Sequence, residues 1–257
     1  MSMRIACIHL PQISLQAALR SRPTLVGRAV VVLGNAGLGA SPVVVACSRA
    51  AHAVGARLGM SGPAARDMAN AADSQAGTGL IVLARDREDE RSLVAAVADA
   101  IGALSSETRG SIERGIEAVG PHRALYCAVP SRSRGEAFGR RVREAMAAVG
   151  VKGRIGIADD RFTAWVAASG GHGMDESGGE DVVCVPRGGS AQFLAPRPLG
   201  LLAIPGEVQH MLATLGVRTL GQFAALPPPT AARAWDSDFQ ALARGDAGSV
   251  LRPSAAD

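Results

Sequence analysis

Short apolar runs separated by two long amphipathic patterns restrict this chain to a small set of folds. Ile5-Ala6-Cys7-Ile8, Ala29–Leu33, Val43–Cys47, Leu80–Ala84, Ser111–Val119, Ala124–Val129 and Arg154–Ala158 each read as a strand. Leu93, Val94, Val97, Ile101 and Leu104 recur at helical spacing, as do Phe138, Val142, Met146 and Val149 in a second segment. Strand, insertion, helix, strand, strand, helix, strand is the order of a ferredoxin-like β-α-β-β-α-β sheet in an α/β (α+β) protein. Residues 12–74 are then an insertion after the first strand. Arg161–Ala168 predicts a further helix, and residues 170–181 a loop. Beyond residue 189, two short helices flank Leu215-Gly216-Val217-Arg218-Thr219, a helix-hairpin-helix-like pattern that can present backbone N–H groups to a phosphate.

Two motifs invite readings that their contexts reject. GNAGLGASP looks like a phosphate-binding glycine loop, but such a loop must open a helix, and here Ser41-Pro42 leads into a strand. A hairpin is expected instead. RDREDER is dense in charge and opens a helix, so it reads as a solvated N-terminal cap rather than a metal site. Cys7, Cys47, Cys127 and Cys184 form no CxxC pair, which argues against a zinc ribbon or a disulfide framework. With 47% hydrophobic residues the chain can bury a core; with 3% aromatics it is poorly supplied for base stacking. The net charge of +4 permits an anionic partner without requiring one. No run reaches the length of a membrane span, and the expectation is a cytoplasmic, nucleoid-associated protein without a membrane partner.

The segments in this order resemble the Y-family (translesion) DNA polymerases. The resemblance lies in RSRPTLVGRAVVVLG, VVVACSRAAHAVGARLGM, RIGIADDRFTAWVAA, LATLGVRTLGQFAALP and DFQALARGDAGSVLRP. It implies a palm of residues 1–11 and 75–170, fingers of 12–74, a loop and strand over 171–188, and a helix-hairpin-helix-like thumb over 189–257, with no counterpart of the family's little finger.

Members of that family clamp two divalent ions between a first-strand aspartate and an aspartate–glutamate pair on the palm hairpin. In this chain His9 takes the first position, and His122 and Arg123 take the pair. An arginine cannot ligate Mg²⁺ and repels it. Arg49 and His52 stand where the family contacts the triphosphate, Ser14 where an aromatic screens the sugar, and Arg161 and Trp165 at two lysine positions. Together with CIHLPQISLQAALR, these departures resemble the non-catalytic ImuB group. The implied protein is not an enzyme and has no metal or other cofactor. It is a DNA-binding adaptor in damage-induced mutagenesis, with a RecA-like accessory protein, an error-prone C-family polymerase and the sliding clamp as partners.

The alternatives are a nucleotidyltransferase with a different metal set, such as Glu117 with Asp159, and a truncated copy without activity. His9 and His122 with Cys127 would be a sparse zinc or copper site, so filling a degenerate active site is the preferred reading. Asp159-Asp160 before Arg161 fits a helix N-cap better than a relocated carboxylate pair. Gly206, Arg218, Thr219 and Arg161 are DNA-contact candidates. Arg140, Arg141 and Arg143, with Arg132 and Arg134, track a phosphate backbone or line a solvated helix face.

Overall fold

The computed structural model describes residues 3–35, 41–73, 79–104, 113–115, 124–170, 181–227 and 237–246. In chain order the strands are β1 (Ile5–His9), β2 (Val30–Asn35), β3 (Pro42–Cys47), β4 (Ile81–Ala84), β5 (Glu113–Gly115), β6 (Ala124–Ala128), β7 (Arg154–Ala158) and β8 (Val182–Cys184). The α-helices are α1 (Ile13–Ser21), α2 (Arg49–Ala53), α3 (Gly62–Asp73), α4 (Arg87–Gly102), α5 (Gly135–Ala148), α6 (Arg161–Ser169), α7 (Ser190–Leu194), α8 (Gly206–Thr214), α9 (Leu220–Ala224) and α10 (Ser237–Arg244). The chain divides into two compact units, Met1–Pro11 with Ala98–Asp257, and Gln12–Val97.

In the first unit the sheet order is β5-β6-β1-β7-β8. All neighbours are antiparallel except β7 and β8. The first four strands keep the ferredoxin-like order inferred from the apolar runs. Central β1 is buried on both faces, which explains its unbroken apolar run. Cys7 pairs with Tyr126 and Gly156, so Ile5, Cys7, His9, Ala124, Tyr126, Gly156 and Ala158 share one face. Ala6, Ile8, Leu125, Cys127, Ile155 and Ile157 share the other.

Glycines set how closely helices cover these faces. A Cβ on Gly156 would meet the Ala164 carbonyl at 2.0 Å, so α6 lies directly on the first face. A Cβ on Gly139 would meet Val182 and Ile157, which places α5 on the second. Helix α6 buries seven residues, among them Phe162 and Trp165. Their core continues into the C-terminal helices through Leu194, Leu212, Leu220 and Phe223.

In the second unit the sheet order is β3-β2-β4, with β2 antiparallel to β3 and parallel to β4. Leu15 and Ala18 of α1 pack with Val30, Val32 and Ala46. Ala51 and Ala65 of α2 and α3 pack with Val31, Leu33 and Val44. β2 and β3, on either side of the GNAGLGASP stretch, are antiparallel neighbours with Asn35 paired to Pro42, the pairing a hairpin requires, while residues 36–40 lie outside the described residues. Gln12 enters α1 with φ 50, a left-handed conformation costly for a side chain with a Cβ. Its Oε1 accepts the Cys47 N–H at 2.8 Å, which anchors the turn to β3.

At the start of α4, Asp86 accepts from the N–H groups of Glu88 and Asp89, a cap of the expected kind. Glu90 departs from the solvated reading of this charge run. It is fully buried and held by two hydrogen bonds from Arg85, at 2.7 and 2.9 Å, and one from Ser14. Among the described residues no helix is long and apolar enough to cross a membrane.

Candidate nucleic-acid interface

His9 ends β1 on the α6 side of the first sheet, with Ala124 and Arg154 as its Cα partners, and is 7% exposed. On the same face the Arg161 guanidinium lies 5.3 Å from the centroid of the Tyr126 ring, a cation–π contact. Burial pushes the Tyr126 phenol up and likewise the Cys7 thiol, with which it shares a hydrogen bond. Cys127 belongs to the opposite face, so the His9–His122–Cys127 metal set fails on strand alternation. His122, Arg123 and Glu117 lie outside the described residues. Among the described residues no group of three or more His, Cys, Asp or Glu side chains is placed to hold a metal ion.

The adjacent aspartates are both structural. Asp160 caps α6, accepting the Thr163 N–H at 2.7 Å and the Ser190 hydroxyl at 2.8 Å. Asp159 lies 3.4 Å from Arg4 and accepts the Gly188 N–H at 2.7 Å. Arg4 also donates to the carbonyls of Ile157 and Val185, joining β1 to the β7–β8 edge. No sequence pattern points to Arg4, because an arginine leading into a strand carries no mark of its distant acceptors.

Ser14, Arg49 and His52 all belong to the second unit. The Ser14 hydroxyl is buried and committed to Glu90, while Arg49 and His52 are exposed on α2. The structure thus gives Ser14 a structural partner and leaves the two cationic candidates on the surface.

The turns that open α8 and α9 differ in what their backbones offer. Gly206 opens α8 beside open space, since a Cβ added to it would meet nothing within 4 Å. Gln209 is the first helix donor bonded back, to the Pro205 carbonyl. At the turn that opens α9 the donors are already used. The N–H groups of Arg218 and Thr219 both go to Gln222 Oε1, Gln222 N–H goes to the Thr219 hydroxyl, Leu220 N–H to the Arg197 carbonyl and Gly221 N–H to the Ala195 carbonyl. This is a capping box, whose Thr-x-x-Gln spacing is visible in the sequence. Any phosphate contact here falls to the exposed Arg218 side chain.

Arg140, Arg141 and Arg143 are exposed on α5, on the sheet face opposite α6 and the C-terminal helices. Arg141 donates to the Leu104 carbonyl at 3.1 Å. The structure does not bring this group together with Arg161, Gly206, Arg218 and Thr219.

Residues 9–169 match the model of the IMS family, described as impB/mucB/samB. No curated protein sequence matches the chain. Among solved structures, DinB from Sulfolobus solfataricus is similar at 17% identity and a TM-score of 0.65. The insertion ternary complex of Dbh DNA polymerase is similar at 17% identity and 0.67, and its post-insertion binary complex at 15% and 0.70. In each case 95% of this chain and 67% of the other are covered, a likeness that establishes the fold. These findings correct the expectation that the chain is not an enzyme: its relatives are Y-family DNA polymerases, which are enzymes. With the family model matched across more than half of its length, the chain belongs to the impB/mucB/samB family.

Proposed function

We propose that this chain holds primer–template DNA and serves translesion synthesis. The observation that carries the reading is the extent of the likeness. It runs through the C-terminal helices as well as the sheet, and the similar structures are binary and ternary complexes of a DNA polymerase. Arg161 at the start of α6, Gly206 at the start of α8 and the exposed Arg218 beside Thr219 are the contacts this proposal assigns to DNA. They belong to helices that share one core against one face of the sheet. Adaptor contacts with a RecA-like accessory protein, a C-family polymerase and the sliding clamp are part of the same proposal. The described donors do not fit the family's paired divalent ions, because Asp159 and Asp160 are already bonded and His9 has no acidic neighbour in register. No chemical step is therefore routed through a metal.

The test is fluorescence anisotropy of a labelled primer–template titrated with the chain at several salt concentrations. Micromolar or tighter binding is expected, with log affinity falling by roughly one unit per phosphate contacted for each tenfold rise in salt. No binding at low salt would defeat the reading. Primer extension in the same samples, above a polymerase-free control, reads synthesis by the chain itself. Co-purification of the accessory proteins with the tagged chain reads the adaptor contacts.

A further inference from the structure

We infer that the outer face of α5 is a second DNA-backbone surface, separate from the one on the α6 side of the sheet. Residues 131–152 contain Arg132, Arg134, Arg140, Arg141, Arg143 and Lys152 against Glu136 and Glu144, an excess of four positive charges. The whole chain has 27 cations and 23 carboxylates, so removing these six and two leaves 21 of each. This segment therefore accounts for the entire net charge. All six cations are exposed. Among the described residues Arg132, Arg134, Arg140 and Arg143 enter no salt bridge, while Arg141 is anchored to the Leu104 carbonyl.

The fold keeps this face apart from the first surface. Gly156 points to α6, its neighbour Ile157 points to α5, and successive strand residues face opposite sides of a sheet. Phe138, Val142 and Met146 fix the inward side of α5, which turns Arg140 and Arg143 outward one turn apart. DNA lying against the C-terminal helices is on the other side of the sheet from these arginines.

The surface fits a nucleic-acid backbone better than a protein. Protein interfaces are anchored by aromatic side chains and arginines packed into desolvated apolar pockets. The exposed large apolar residues described are Met3, Val26, Val54, Met211 and Leu215, and none is on α5. What remains is almost purely guanidinium, which binds phosphate oxygens in pairs and without regard to sequence. The inference rests on the proposed function only in taking DNA as the available polyanion.

The experiment uses two short duplexes with different fluorophores and the full chain at about 50 mM salt. Fluorescence cross-correlation then reads whether one protein particle carries both labels. Wild type is expected to carry two duplexes. Arg140→Ala with Arg143→Ala should lower double occupancy at least tenfold and reduce the salt slope by about two. Arg132→Ala with Arg134→Ala, in the segment before the helix, repeats the readout with α5 unaltered. Double occupancy that survives both variants, or, where wild type carries a single duplex, binding of that duplex that neither variant lowers, overturns the inference. Displacement of the second duplex by polyglutamate as effectively as by unlabelled DNA of equal charge also overturns it, in favour of an acidic protein. Failure of primer–template binding with the α5 site still occupied would sink the proposed function and leave this inference standing.

Discussion

Gly156→Ala isolates the contact on which the first unit is built. The added methyl would lie 2.0 Å from the Ala164 carbonyl oxygen, 2.5 Å from the Ala168 nitrogen and 2.8 Å from the Ala167 Cβ. Ordinary contact begins at 3.4 Å, so α6 would have to retreat by about 1.4 Å. Two of the three obstructing atoms are helix backbone, which no rotamer change can move aside. The helix carries seven buried residues, so its retreat also loosens the core it shares with Leu194, Leu212 and Phe223. Overpacking of this kind costs about 3 kcal/mol, the upper end of the usual range. Against it stands a gain of at most ~1 kcal/mol, because alanine has fewer unfolded conformations than glycine. Strain wins, and the midpoint of thermal unfolding should fall by roughly 5–10 °C. Gly200→Ala is the control: its methyl meets nothing within 4 Å, so the same substitution should be neutral or slightly stabilising. Both are read by thermal and urea unfolding followed by circular dichroism. A Gly156→Ala protein within about 0.5 kcal/mol of wild type would refute the close-approach argument.

Glu90→Ala should cost about 3 kcal/mol in urea unfolding, since it removes the buried acceptor of two Arg85 hydrogen bonds and one from Ser14 inside the second unit. Glu90→Gln, which keeps the shape and one acceptor, should cost less; equal losses would show that the charge rather than the shape holds the site. Gln222→Ala removes the acceptor shared by the Arg218 and Thr219 N–H groups and should cost about 1–2 kcal/mol, with an unchanged unfolding midpoint counting against the cap. Thiol labelling at pH 8 should modify Cys184 alone in the native chain and all four cysteines after denaturation, because Cys7, Cys47 and Cys127 are buried. Burial pushes the Cys127 thiol up to about 12 and raises Cys7 as well, so the folded state keeps protons that the unfolded chain releases above about pH 9. Stability should therefore fall from pH 9 towards 12, and a flat profile of unfolding midpoint against pH over that range would contradict the burial argument.

What could be read from the sequence was what repeats along it. The apolar runs at β1, β6 and β7 and the spacing of Phe138, Val142 and Met146 gave the sheet order, because burial on both faces leaves a continuous signature in each strand. The Asp160 cap was legible from its place before Arg161, and the hairpin pairing of β2 with β3 from the strand that follows Pro42. Pairings between distant segments left no such trace. Glu90 sits in a run whose composition indicates solvent, yet it is buried because Ser14 and Arg85 fold around it. The commitment of Asp159 to Arg4 joins residues 155 positions apart, and no periodicity reports it.

That commitment bears on the reading in which Glu117 and Asp159 supply a new metal set. To ligate an ion, Asp159 would have to release both Arg4 and the Gly188 N–H. Arg4 would then face the ion across the vacated position, and its charge repels a cation. A carboxylate recruited to metal binding is expected to lie open to the ion, with its hydrogen bonds supporting that orientation. Asp159 instead ties the end of β7 to the turn before α7, and Asp160 beside it ties α6 to Ser190 at the start of that helix. The two aspartates thus fasten the first sheet to the C-terminal helices. Asp159→Asn, which keeps the Gly188 contact but loses the charge facing Arg4, should weaken that attachment. Asp160→Ala should weaken it more, because it removes the cap and the Ser190 bond together.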